Sequence, residues 1–173
     1  PLTKGLWNGK EIDEIMRPMD KYDVDLFLFT SIEKINTDEK NILTENGDQY
    51  QYQKLLLATG GNPIHLPTSP QGVIYYRVRA DYETLKKQME SKEHFCVIGG
   101  GFIGSEIAAA LTMNNKQVTM IFPDVGISGL RFPDDLAKFL NDYYREKGVK
   151  VLDGYLVDSI SKTGDQYKIQ YKR

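Results

Sequence analysis

Cysteine is nearly absent. The chain carries one, Cys96, among 173 residues, which excludes an internal disulfide and a four-cysteine zinc site and fits a reducing compartment. Long apolar runs are missing too: none approaches the roughly 18 residues that a membrane-spanning helix needs, so no membrane span is expected. Neither sign of charge is in excess. Lysine and arginine number 22 against 24 aspartates and glutamates, a net charge of −2, which provides no general attraction to nucleic acid or to an anionic lipid surface. Internal repeats and low-complexity tracts are lacking, and so are an initiator methionine and a cationic-then-apolar leader before Pro1-Leu2-Thr3-Lys4. The far end stops at Tyr171-Lys172-Arg173, just after an alternating segment. Both ends read as cut, an excerpt of a longer protein without a secretory signal. What is present is the balance of a globular chain, 40% apolar and 27% charged, enough for one ordinary domain or two small or incomplete ones.

Pattern and turn chemistry divide the chain. Residues 11–16 read as a short helical turn ended by Pro18, Val24 to Phe29 as a strand, and Ser31 to Asn36 as an alternating segment. A hairpin is predicted around Asn46-Gly47, a pair that tolerates positive φ. The compact apolar run Leu55 to Ala58 reads as a buried strand leaving a sheet at Thr59-Gly60-Gly61, and a loop with Pro63, Pro67 and Pro70 then separates two halves.

A βαβ rhythm governs the second half. Asp81 is the predicted N-cap of a helix carrying Tyr82, Leu85 and Met89, and Phe95 to Ile98 is apolar on both faces, as parallel strands are. Ile103, Ile107 and Leu111 recur at helical spacing, Val118 to Phe122 supplies the next strand, and Leu136, Phe139, Leu140 and Tyr143 form the apolar stripe of a further helix stopped by Gly148. Val149 to Leu152 is the third parallel strand, with residues 155–160 and 166–171 as an antiparallel pair added to that sheet. The fold class predicted is therefore α/β, a Rossmann-like parallel sheet with an antiparallel β-meander.

Between the first strand and its helix stands Gly99-Gly100-Gly101-Phe102-Ile103-Gly104, a G-x-G-x-x-G match in its diagnostic context. Gly99 permits the tight turn, Gly101 lets backbone approach a pyrophosphate, and Gly104 lets helix and strand pack closely, while the helix N-terminus favours anionic charge. A dinucleotide site follows from that context, with a ligand-free strand-to-helix turn as the plain alternative. Phe122 stands at the end of the second strand and Asp124 two residues later, where an acid accepts hydrogen bonds from an adenosine ribose; NAD is thereby favoured, and Asp124 is otherwise a turn residue after Pro123. The nearest following base, Arg131, lies beyond Gly126 and Gly129, so no paired cations wait beside the strand for a 2′-phosphate. Glu106, in the first turns of the helix, either complements the helix dipole or lies near a bound nicotinamide. Ser105 is a capping candidate, Cys96 reads as a core packer, and His65 and His94 lack metal-site spacing.

Three stretches together carry a resemblance. Pro1-Leu2-Thr3-Lys4-Gly5-Leu6-Trp7, Leu56-Leu57-Ala58-Thr59-Gly60-Gly61 with Pro63, and the glycine turn continued by Ser105-Glu106 resemble the pyridine nucleotide-disulfide oxidoreductases, the two-dinucleotide-binding flavoproteins. The resemblance is strongest to the apoptosis-inducing factor and ferredoxin or rubredoxin reductase branch. It implies that residues 1–71 are part of an FAD-binding domain and residues 72–173 an NAD(H)-binding domain, truncated at its C-terminal end. Ala58-Thr59-Gly60 is then an FAD-contacting turn, Lys4 the lysine near the flavin, and Glu106 the glutamate between flavin and nicotinamide, the two forming an ion pair where hydride transfers. Lys4 is otherwise a solvated lysine. Arg77 resembles an arginine before the domain-crossing helix, and Ile64 stands where many relatives have arginine.

No Cys-x-x-x-x-Cys pair is present, which disfavours disulfide reduction. The implied activity of the intact protein is hydride transfer from NADH to FAD and on to an unidentified electron acceptor, an iron-sulfur or rubredoxin-type protein, a quinone or oxygen. The excerpt alone is expected to be inactive and to hold little FAD. The alternative is an NAD(H)-binding redox-sensing or partner-binding module with little turnover. A homodimer is left open, and the expected location is intracellular, the cytoplasm or else the mitochondrion.

Overall fold

The computed structural model describes residues 3–173. The chain divides into two compact units, Met16–Gly61 and the remainder. Helix α1, Ile12–Ile15, follows a 3-10 turn over Gly5–Asn8, and the Glu14 carboxylate accepts the Glu11 N–H at 2.7 Å to close its first turn.

In the smaller unit, β1 (Ile32–Asn36), β2 (Asn41–Thr44) and β3 (Gln49–Gln51) pair antiparallel in that order. The predicted turn closes the β2–β3 hairpin. Gly47 adopts φ +88° and donates to the Thr44 carbonyl at 3.0 Å, while the Thr44 hydroxyl accepts the Asp48 N–H at 3.0 Å. Two expected strands do not form. Val24 to Phe29 is irregular, with only the Phe27 ring docked, 5.0 Å from Tyr50, and Leu55 to Ala58 is irregular and exposed. Apolar content alone does not make a strand; a strand needs a ladder partner for its N–H and C=O groups, and neither segment is in a described sheet.

The larger unit alternates helix and strand: α2 (Arg79–Met89), β4 (His94–Ile98), α3 (Phe102–Met113), β5 (Gln117–Phe122), α4 (Asp134–Glu146) and β6 (Lys150–Asp153). The three strands form a parallel sheet in the order β4-β5-β6, with Cys96 opposite Thr119 and Met120 opposite Val151. Helices α2, α3 and α4 contribute to a core on one face with Leu85, Leu111, Met120 and Val151. On the other face Ile121 packs with Val157 and Ile160 of β7 (Leu156–Thr163), which pairs antiparallel with β8 (Gln166–Lys172). The fold class is α/β, as the sequence implies. The β7–β8 pair, however, forms its own two-stranded sheet rather than extending the parallel one.

Two local expectations shift. Asp81 is not the N-cap of α2 but its third residue: its carboxylate reaches back to the N–H groups of Arg77 and Val78, both at 2.7 Å. On α4 the buried positions are Ala137 and Asn141, beside half-buried Leu140 and Tyr144, whereas Leu136, Phe139 and Tyr143 stay exposed. The cause is close approach. A Cβ on Gly126 would overlap the Ala137 backbone, so α4 is pressed against the preceding loop by its small-residue face, and the bulky stripe turns outward.

Candidate functional site

The turn between β4 and α3 is shaped by its glycines. Gly99 holds φ +110°, in the region that favours glycine, and its N–H donates to the Ile121 carbonyl at 2.9 Å, tying the turn to β5. A Cβ on Gly100 would meet the buried Phe122 ring at 2.7 Å, and one on Gly104 would overlap the Gly99 carbonyl. Gly101 differs. Nothing lies within 4 Å of where its Cβ would stand, so the chain is open there. The first turn of α3 adds donors: Ser105 N–H bonds the Gly101 carbonyl at 2.9 Å, while the N–H groups of Phe102, Ile103 and Gly104 have no acceptor among the described residues. Three free donors at a helix N-terminus make an anion-binding cradle.

The loop after β5 forms the facing wall. Gly99, Gly101, Phe102, Asp124, Ser128 and Arg131 line one concavity. Phe122 itself is buried under the turn, with its ring against Gly100, and Asp124 is the first acid beyond it, half-buried and with no hydrogen bond or ion pair to its carboxylate among the described residues. Arg131, which sequence spacing sets away from the strand, is folded back: its guanidinium lies 5.3 Å from the centre of the Phe102 ring. No linear motif announces that contact, because the loop's path decides it.

At the other end of the first turns of α3, residues distant in sequence meet. Lys4 Nζ lies 3.1 Å from Glu106 Oε1, and the Thr3 hydroxyl donates to Oε2 of the same carboxylate. Pro1 and Leu2, which open the stretch carrying the resemblance, lie outside the described residues. The approach is anchored nearby. Leu6 is buried, its carbonyl accepts the Tyr82 hydroxyl at 3.4 Å, and Trp7 stands edge-on to the Tyr82 ring at 5.0 Å. With side-chain exposures of 61% and 31%, the Lys4–Glu106 pair contributes at most about 1 kcal/mol to stability, so its value is in placing a carboxylate and an ammonium together.

The sequence profile of the pyridine nucleotide-disulphide oxidoreductases matches residues 1–173. The chain belongs to that family. Monodehydroascorbate reductase 3 of Arabidopsis thaliana is 34% identical over 151 residues, which cover 82% of this chain and 34% of the relative. Mitochondrial apoptosis-inducing factor 1 of Dictyostelium discoideum is 31% identical over 187 residues, covering 92% of this chain and 35% of the relative. Among solved structures, the covalent putidaredoxin reductase–putidaredoxin complex aligns with a TM-score of 0.77 at 27% identity, over 98% of this chain and 43% of the matched one. The chain thus spans about a third of the length of these curated relatives.

Other residues singled out in this family member sit elsewhere. Ala58, Thr59 and Gly60 lie in the unit Met16–Gly61, all exposed, with Gly60 at φ +73°. Ser105 does not cap the helix: its hydroxyl donates to the Phe102 carbonyl at 3.0 Å, and its own carbonyl accepts the Tyr144 hydroxyl at 3.1 Å. The Arg77 N–H is spent on Asp81. His65 stacks on Tyr75 at 3.9 Å, and no group of three or more potential metal ligands occurs among the described residues. No described helix is long and apolar enough to cross a membrane.

Cys96 is not the core packer that its strand suggests. Phe95 and Val97 face the helices, while Cys96 projects to the more open face of β4, the edge strand. Part of the residue reaches solvent, yet its thiol is largely shielded from water, and that desolvation pushes it up to about 11 from 9.0. The thiol is therefore protonated at neutral pH and a poor nucleophile. Alkylation by iodoacetamide is expected to rise with a midpoint above that of a free thiol, in the direction desolvation pushes it; a midpoint equal to that of a free thiol shows that no such desolvation operates.

Proposed function

We propose that this chain is the nicotinamide-dinucleotide-binding part, with an adjoining piece of the flavin-binding part, of a flavoprotein oxidoreductase that takes hydride from NADH and passes electrons to an acceptor. In this reading residues 1–71 belong to the FAD-binding domain and residues 72–173 to the NAD(H)-binding domain. The observation that carries it is the open Gly101 cradle with its three unpartnered N–H groups, which suits a diphosphate in shape, charge and hydrogen bonding. NADH, when bound, supplies a hydride and FAD accepts it; the rest is what the chain's own groups do.

The N–H groups of Phe102, Ile103 and Gly104 hold the diphosphate, and the free Asp124 carboxylate accepts from the 2′-hydroxyl of the adenosine ribose. The Glu106 carboxylate, oriented by Thr3 and Lys4, positions the nicotinamide end, and Lys4 presents its cation to the flavin. Ala58-Thr59-Gly60 offers FAD a second turn. The acceptor is proposed from chemistry and kinship: putidaredoxin reductase is seen bound to putidaredoxin, and a small iron-sulfur protein of that kind accepts the electrons here. The single cysteine fits an intracellular location.

Titration calorimetry of the 173-residue chain with NADH and NADPH tests the reading. NADH is expected to bind about tenfold more tightly, because a 2′-phosphate confronts the Asp124 carboxylate, and Asp124→Asn is expected to remove most of that difference. Equal affinities, or a preference for NADPH, reject the assignment of Asp124. Absence of any dinucleotide binding rejects the cradle itself. Rapid bleaching of flavin by NADH in the holoenzyme supports turnover, whereas slow reduction supports a sensing module.

A further inference from the structure

Asn141 is 2% exposed, in the middle of α4. A polar amide in an apolar surrounding is costly unless both its ends are satisfied. Here both are, and by the backbone of a single loop: Oδ1 accepts the Ile127 N–H at 3.0 Å and Nδ2 donates to the Val125 carbonyl at 3.2 Å. The same loop is latched again one residue on. Ser128, buried and held at φ +59°, donates its N–H to the Gly100 carbonyl at 2.7 Å. A non-glycine residue in that region is strained and persists only where its surroundings over-determine it. Gly126, seated against the Ala137 backbone, supplies the close fit that lets the Asn141 amide reach.

We infer that Asn141 is a positioning residue that presets residues 124–131, the wall of the dinucleotide cradle carrying Asp124 and Arg131, before any ligand arrives. The inference rests on the reading of the cradle as a dinucleotide site. Asn141 touches no ligand in this scheme and acts through the loop. With the staple cut, the loop populates its binding-competent path only part of the time, and the apparent dissociation constant rises by the inverse of that fraction.

The test uses ADP-ribose, which contains the adenosine and diphosphate groups without the nicotinamide, and the 173-residue chain. Asn141→Leu, close in shape but without either hydrogen bond, is expected to raise the dissociation constant about tenfold at unchanged one-to-one stoichiometry. Asn141→Asp keeps an acceptor for Ile127 but sets a buried carboxylate oxygen against the Val125 carbonyl, and is expected to raise it at least as much at neutral pH. A variant that only destabilises the fold weakens binding by the inverse of its folded fraction, so thermal denaturation of each variant is read beside the titration; a loss of affinity accounted for by the unfolded fraction, or an unchanged affinity altogether, overturns the inference. Hydrogen exchange on the unsubstituted, ligand-free chain provides a measure independent of any variant. The Ile127 and Ser128 amides are expected to be protected as well as the middle of α4, and fast exchange there overturns presetting. If the unsubstituted chain does not bind ADP-ribose, the dinucleotide reading falls with the inference; if it binds and Asn141→Leu binds equally, only the inference falls.

Discussion

Gly101→Val is expected to abolish dinucleotide binding while leaving the fold intact. Gly101 stands just before α3 at φ −73° and ψ −176°, an extended conformation that a β-branched residue adopts without strain. Its added Cβ meets nothing within 4 Å, so the cost to folding is under about 1 kcal/mol, the ordinary difference between residues at a helix start. The valine methyl groups instead occupy the space over the Phe102, Ile103 and Gly104 amides, where ligand oxygens must come within about 3 Å. Affinity for ADP-ribose is expected to drop at least about a hundredfold, two steps of the tenfold-per-1.4 kcal/mol scale, with little change in melting temperature.

The neighbouring substitution separates site from scaffold. A Cβ at Gly104 overlaps the Gly99 carbonyl and comes within 3.5 Å of Val97, so Gly104→Val forces α3 away from β4 and is expected to destabilise the unit by about 1–3 kcal/mol or more. Calorimetry paired with thermal denaturation reads both variants. Retained binding in Gly101→Val shows that the diphosphate does not lie on this turn.

Glu106→Gln in the flavin-loaded holoenzyme is expected to slow flavin reduction by NADH about tenfold to a hundredfold, the loss that follows when a reacting group is misplaced by about 1 Å. Glutamine keeps the shape but not the charge, so Lys4 loses its counter-ion and is free to swing. Stability is expected to change by less than about 1 kcal/mol, because the pair is partly exposed. Lys4→Met is expected to act in the same direction, and the double variant to be little worse than either single one, since each change breaks the same contact. Stopped-flow flavin absorbance measures the rates. Unchanged rates in both single variants, or losses that simply multiply in the double one, remove the pair from the hydride-transfer site.

Much of this molecule could be read along the chain. Hydrophobic period located α3, β5 and α4, and glycine placement located the turns at Gly47, Gly99 and Gly148, each with positive φ. These are local properties, set by steric limits within a few residues. Where local signals failed, the missing term was a partner. Val24 to Phe29 and Leu55 to Ala58 are as apolar as any strand, yet no described strand pairs with them. The stripe Leu136, Phe139 and Tyr143 has helical spacing, yet the covered face is that of Ala137 and Asn141, because spacing reveals which residues share a face and not which face its neighbours fit.

The candidate site divides along the same line. The cradle of Gly99 to Gly104 needs only its own backbone and was legible from six consecutive residues. The meeting of Lys4 with Glu106, the return of Arg131 over Phe102, and the Asn141 amide bridging Val125 and Ile127 join residues whose separation along the chain says nothing about their distance in space. Only closure of the helices on the sheet brings those atoms together, since the free energy that places them comes from burial of the shared core rather than from any local preference of the residues concerned.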